Sequence, residues 1–137
     1  MRIVNFVLLA LAFHASAQGR SMCAGEFVKF LGDFERSKVV QATHTNFPLR
    51  YSHVDHDDPE LKQKHIWLNK QSVEKFESFP SPEYQSKIKL ERKITKDEAG
   101  RCAVNFNVPD SDMYAMTFSF IKWGNTWHLV ETEDNSL

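Results

Sequence analysis

The last third of the chain alternates apolar and polar residues with a period of two, which leaves few folds open. Cys102, Val104, Phe106 and Val108 form one such run; Tyr114, Met116, Phe118 and Phe120 form another. Trp127 and Leu129 belong to a further one, and from Tyr84 onward Ile88, Leu90 and Ile94 open the series. Successive side chains of a strand point to opposite faces, so these runs predict antiparallel strands with one apolar face. Asp97 to Gly100 and Pro109 to Asp112 supply the turns between them. Gly124-Asn125 reads as a two-residue hairpin turn. It sets Trp123 opposite Thr126, Lys122 opposite Trp127, Ile121 opposite His128 and Phe120 opposite Leu129. Phe118, Phe120, Trp127 and Leu129 then share the core face, and His128 the other.

The first half has a different rhythm. From residue 22 to about 36, Cys23, Phe27, Phe30, Leu31 and Phe34 recur at helical spacing, while Glu26, Lys29, Asp33 and Arg36 fall elsewhere. That is an amphipathic helix, with Ser21 placed to cap it. Val39 and Val40 fit a second short helical turn. Phe47 to Tyr51 reads as extended, with Pro48 marking a strand start or an edge. His53 to Pro59 is a polar loop, and Ile66, Trp67 and Leu68 form an apolar cluster without a decisive period. Gln71 to Phe79 predicts a short helix that Pro80-Ser81-Pro82 ends. The expected fold class is α+β: N-terminal helices packed on a curved antiparallel sheet, one side of which accepts the helix stripe.

The amino terminus bears on the compartment. Met1-Arg2 precedes an apolar run from Ile3 to Phe13, and Ala15-Ser16-Ala17 supplies small residues ahead of Gln18. This pattern predicts a secretory signal peptide over residues 1–17, cleaved before Gln18. The run is shorter than the roughly 20 apolar residues that a membrane-spanning helix needs. Residues 18–137 are then expected to form one domain, exported to the periplasm or secreted, without a membrane span. The whole chain holds 17 basic and 18 acidic residues; Arg2 falls in the leader, so the mature part carries 16 against 18. That near balance, with no basic stripe, argues against a nucleic-acid partner. Five Gly and five Pro argue against a low-complexity chain.

Cys23 and Cys102 are the two cysteines. In an oxidising compartment an even pair reads first as a structural disulfide. Two buried free thiols and a redox pair are the alternatives, the last lacking the usual Cys-x-x-Cys spacing. A helix bearing Cys23 and a strand bearing Cys102 on its apolar side fit one arrangement.

Gln41, His44 and Phe47-Pro48-Leu49, with the acidic loop at Asp55, Asp57 and Asp58 and the ending Trp127-His128-Leu129-Val130, resemble a family of small exported bacterial proteins of unknown function. This chain carries His44 where that family prefers Arg, and Val40 where it prefers an aromatic. The resemblance implies a nuclear-transport-factor-2-like (NTF2-like) cone and an envelope location. It brings no activity with it, and the fold itself hosts enzymes, binding modules and structural domains.

Two groups of residues are candidate sites. Phe30, Phe34, Tyr51, Trp67, Tyr114, Phe118 and Trp127 are large side chains that would line a pocket if the sheet curls into a cone; ordinary core packing is the competing explanation. His53, Asp55, His56, Asp57 and Asp58 form an acidic interaction loop whose imidazoles and carboxylates also suit a divalent metal. It lacks a His-Glu-x-x-His or calcium-loop pattern, so no metal site and no cofactor are expected. Asp33 with Tyr51, or Tyr114 with His128, are the conceivable acid–base pairs. The expected function is a non-catalytic exported binding protein, taking a small ligand or an envelope protein as an inhibitor or immunity protein would. A small cone-fold isomerase or hydrolase with a pocket carboxylate, and a structural envelope subunit, are the alternatives.

Overall fold

The computed structural model describes residues 22–76 and 78–137. The expected leader over residues 1–17 and the expected cap Ser21 lie outside the described residues. Helix α1 spans Glu26–Arg36 and α2 spans Lys38–Thr43. Strands β1 (Thr45–Val54) and β2 (Gln63–Leu68) follow, then a 3-10 turn over Val73–Lys75 and helix α3 over Pro82–Lys87. The chain closes with β3 (Glu91–Lys96), β4 (Cys102–Val108), β5 (Ser111–Trp123) and β6 (Thr126–Asp134). The strands form one curved sheet in the order β2-β1-β6-β5-β4-β3. All pairings are antiparallel except β1 with β6, which is parallel. The sheet is therefore mixed, a correction to the antiparallel expectation. Apolar alternation records which face is buried but not the direction of the neighbouring strand.

The last hairpin has the register expected of it. Trp123 faces Thr126, Lys122 faces Trp127, Ile121 faces His128 and Phe120 faces Leu129. One residue later the ladder slips. Ser119 pairs with Glu131, leaving Val130 as the extra residue of a β-bulge. A strand without that insertion would put Glu131 on the side of Leu129. The bulge instead restores Glu131 to the face opposite the core.

Helix α1 lies on the inner face. Phe27, Leu31 and Phe34 are buried there with Phe118, Phe120, Trp127 and Leu129. Phe27 meets Trp127 edge-on at 4.8 Å between ring centres, and Phe34 meets Phe120 at 5.1 Å. Such aromatic pairs add about 0.5–1.5 kcal/mol each to the gain from burial. A disulfide joins Cys23 to Cys102, with Cα atoms 5.5 Å apart. Cys23 sits just ahead of the helix rather than within it, because Gly25 takes a positive φ of 53° at the helix entrance. Glu35, at the far end of α1, is buried and accepts from Arg92 of β3 (3.2 Å) and Gln85 of α3 (2.9 Å). The helix is thus fastened covalently at its start and by charge at its end.

Three local expectations need correction. Among the described residues of the expected helix over Gln71 to Phe79, Val73–Lys75 form a 3-10 turn, and Phe76 already leaves helical geometry at φ −118°, ψ 162°. Ser81 and Pro82 start a helix rather than end one: Ser81 Oγ accepts from the Tyr84 amide at 3.2 Å, and Pro82 fills the first turn, where its missing N–H costs nothing. Tyr84 and Lys87 therefore belong to α3, and strand periodicity begins at Glu91. Pro48 sits inside β1 rather than at its start. The β1–β2 ladder begins only at Leu49 and the β1–β6 pairing jumps from Thr45 to Arg50, so Pro48 lies on a locally unpaired stretch and no ladder bond is demanded of it.

Candidate functional site

Beneath α2 the core does not close. A cavity of about 570 Å³ is bounded by Phe34 of α1, by Lys38, Gln41 and Ala42 of α2, and by Thr45, Phe47 and Leu49 of β1. Lys70, Val73, Glu74, Phe76, Ser78 and Phe79 of the connecting segment close one side; Phe118, Leu129 and Thr132 of the sheet form the floor. The size is in the range of small-molecule sites, roughly 300–1,000 Å³, and apolar walls with few polar groups are what such sites need. The local sequence explains the opening. Ser37 interrupts the helical run and caps α2, its Oγ accepting from the Val40 amide at 3.3 Å. Gln41 Nε2 donates to the Phe34 carbonyl at 2.8 Å, and Thr45 Oγ1 donates to the Gln41 carbonyl at 2.6 Å. These bonds hold α2 at the end of α1, over the start of β1. A second hollow of about 650 Å³ adjoins it, sharing Lys38, Gln41, Ser78 and Phe79 and adding Arg36, Glu35, Glu83, Tyr84 and Tyr114.

The expected pocket residues are distributed as follows. Phe34 and Phe118 line the cavity. Tyr114 lines the adjoining hollow, and Tyr51 lines a shallower one with Phe76, whose ring centre is 4.9 Å away. Phe30 and Trp127 border a separate depression with Asp33 and Lys122, outside the cavity. Trp67 is 65% exposed on the opposite face of the sheet, cross-strand from Arg50. Sequence reasoning missed most of the wall: Phe47, Leu49, Val73, Phe76 and Phe79. Phe47 and Leu49 stood in the Phe-Pro-Leu segment, but nothing in that motif announces a cavity.

The expected acid–base pairs are not assembled. Tyr51 Oη donates to Asp134 at 3.1 Å, and Asp33 lies at the Lys122 depression instead. Tyr114 neighbours Tyr84, whereas His128 lies between His44 and Trp123. Desolvation, then the nearby His44, lowers the His128 pKa. His44 packs edge-on against Phe30, and its Nδ1 lies 3.1 Å from the Trp127 carbonyl.

In the acidic segment, His53 belongs to β1, and Asp55 to Asp58 form a self-bonded turn. Asp55 accepts the Asp57 amide, and Asp58 accepts the Glu60 amide. Lys64 donates to Asp55 at 2.8 Å, and that hydrogen bond holds the Asp55 carboxyl below its usual range. His56 and Asp57 are exposed. Among the described residues no set of three or more His, Cys, Asp or Glu side chains converges as a metal site.

The outer face of the sheet carries the charge cluster that sequence reasoning did not find. Glu131 is buried and accepts from Arg50 at 3.3 Å and Arg101 at 3.1 Å; Arg101 also binds Asp97 at 2.6 Å. Burial works against the Glu131 charge, but hydrogen bonding from Glu133 and the two guanidiniums outweigh it and lower its pKa. Glu133 goes the other way: burial, then its contact with Glu131, raises its pKa. The only sequence signal for this cluster would have been the bulge, which no periodicity marks.

No family model matches the sequence, and a search of curated proteins finds no significant match. The resemblance to small exported bacterial proteins is therefore supported in its fold and no further. A solved structure that resembles this chain is an NTF2-like protein from Bacteroides fragilis, with a TM-score of 0.58 at 18% identity. The likeness covers 81% of this chain and 47% of the Bacteroides chain, so this chain spans about half the length of that relative. At that identity it carries the architecture alone: this chain has the NTF2-like α+β fold.

Proposed function

We propose that this chain is a non-catalytic binding protein that holds a small, largely apolar molecule in the cavity beneath α2. One observation carries the reading: a pocket of about 570 Å³, open to solvent on one side and walled by Phe34, Phe47, Phe76, Phe79 and Phe118. The pocket opens to solvent at Lys38, Ala42 and Lys70, so its apolar walls face water that a ligand would displace. Binding is favoured over catalysis because an acid–base enzyme needs an ionisable group of displaced pKa within reach of its substrate. Among the described residues the carboxyl raised in this way belongs to Glu133, on the sheet face opposite the cavity. The cavity is also favoured over the acidic turn as a binding site, because Lys64 already matches the charge of Asp55. The disulfide supports an oxidising, exported setting.

The test is a Nile red titration of the oxidised protein followed by fluorescence. One saturable site is expected, lost in Ala42→Phe and Val73→Phe, which fill the cavity from two sides. Saturable binding that both filled variants retain, with their melting temperatures unchanged, would refute the assignment.

A further inference from the structure

Resting on that reading, we infer that the ligand is an amphiphile with one anionic head group, its apolar body in the cavity and its head at the rim beside Lys38 and Lys70. Both lysines line the cavity, both are exposed, and neither forms an ion pair among the described residues. Lys38 Nζ has only a long hydrogen bond to Gln41 Oε1, at 3.4 Å. Among the described residues the cavity has a single acidic lining residue, Glu74. Lys38 also stands at the junction with the more polar adjoining hollow, where Arg36 adds a further cation. There the buried carboxylate of Glu35 is already engaged by Arg92 and Gln85, and Glu83 offsets one of the two cations, Arg36 and Lys38. Flexible ammonium groups on apolar stems at the lip of an apolar void reach a head group while their stems extend the wall. With two lysines against Glu74, the described rim is net positive, which favours an anionic head over a cationic one.

The experiment compares cis-parinaric acid with its methyl ester, read by fluorescence on the oxidised protein. The acid is expected to bind roughly fivefold more tightly than the ester at low salt, the scale of two partly exposed ion pairs. High salt should shrink that preference. The double variant Lys38→Met with Lys70→Met should erase the preference of acid over ester; Lys38→Arg with Lys70→Arg should keep it. Equal affinity for acid and ester, or a preference that survives the Met pair, overturns the anionic-ligand inference while leaving the cavity reading in place. Binding of neither probe overturns both. Capture of the protein by anionic phospholipid vesicles without binding of free probe overturns the inference in favour of a bilayer surface.

Discussion

The two faces of the sheet are written by alternate residues of the same strands, yet they are held by different physics. Along β5 and β6 the inner face carries Phe118, Phe120, Trp127, Leu129 and Thr132; the outer carries Thr117, Ser119, Ile121, His128, Glu131 and Glu133. Inner-face residues are buried by other elements: α1 and the Phe79 segment. Outer-face residues such as Ser52, Ser119 and Glu131 are nearly as buried, and there Ser52 bonds His65 while Glu131 is held by Arg50 and Arg101. Burial fraction alone therefore does not identify a core. Apolar burial is non-directional and grows with area. A buried carboxylate is held only by particular donors, and its contribution depends on pH.

The inner face should be the more costly to disturb. Phe120 is fully buried and touches Phe27, Phe30, Phe34 and Phe79. Phe120→Ala should destabilise by about 3–5 kcal/mol in urea unfolding. Thr117→Ala, the outer-face neighbour three residues earlier, removes one hydrogen bond to Asn105 and should cost about 0.5–1.5 kcal/mol. Equal costs would break the comparison. Replacing both cysteines with serine releases the start of α1 from β4, and a loss of about 2–4 kcal/mol is expected. A smaller loss would mean that aromatic packing alone seats the helix. Glu131→Ala should cost about 1–3 kcal/mol, less than a fully enclosed ion pair, because Arg50 and Arg101 remain partly in water.

The smallest effect sharpens the contrast most. The lowered pKa of Glu131 adds stability above the usual carboxylate range, lost as pH falls through its folded value. The raised pKa of Glu133 does the reverse: its contribution is present below that range and is lost as pH rises through its folded value. The pair therefore favours a stability maximum within the carboxylate range, with a shallow decline above it. Glu133→Gln should flatten the upper limb. Urea midpoints measured over pH about 3–7 check this, and an unchanged decline in the variant would detach it from the outer face.

What could be read from sequence follows the same division. The hairpin from Phe120 to Leu129 was readable to the residue, because alternation and a Gly-Asn turn specify both face and register. The stripe of α1 and its pairing to β4 through Cys23 and Cys102 were readable for similar reasons. The cavity was not. It depends on where α2 stops, and on Phe47, Phe76 and Phe79 from separate segments failing to meet. No local pattern encodes a void. The outer cluster was hidden by the Val130 bulge, which moves Glu131 to the other face without leaving a trace in composition. Helix α3 escaped because six residues are too few to show a period, though Ser81-Pro82 is a helix-start signal when read as one.

The position of β6 has a consequence for how the molecule assembles. The last strand of the described chain lies inside the sheet, between β1 and β5, and the first strand joins the rest only through it. Until β6 is made, the β1–β2 hairpin and the β3–β5 meander are two fragments with no shared hydrogen-bond ladder. A chain emerging amino terminus first must therefore keep its aromatic faces uncommitted until almost all of it is available. That is late, non-local folding, of the kind that is slow for its size and exposes apolar surface while it waits.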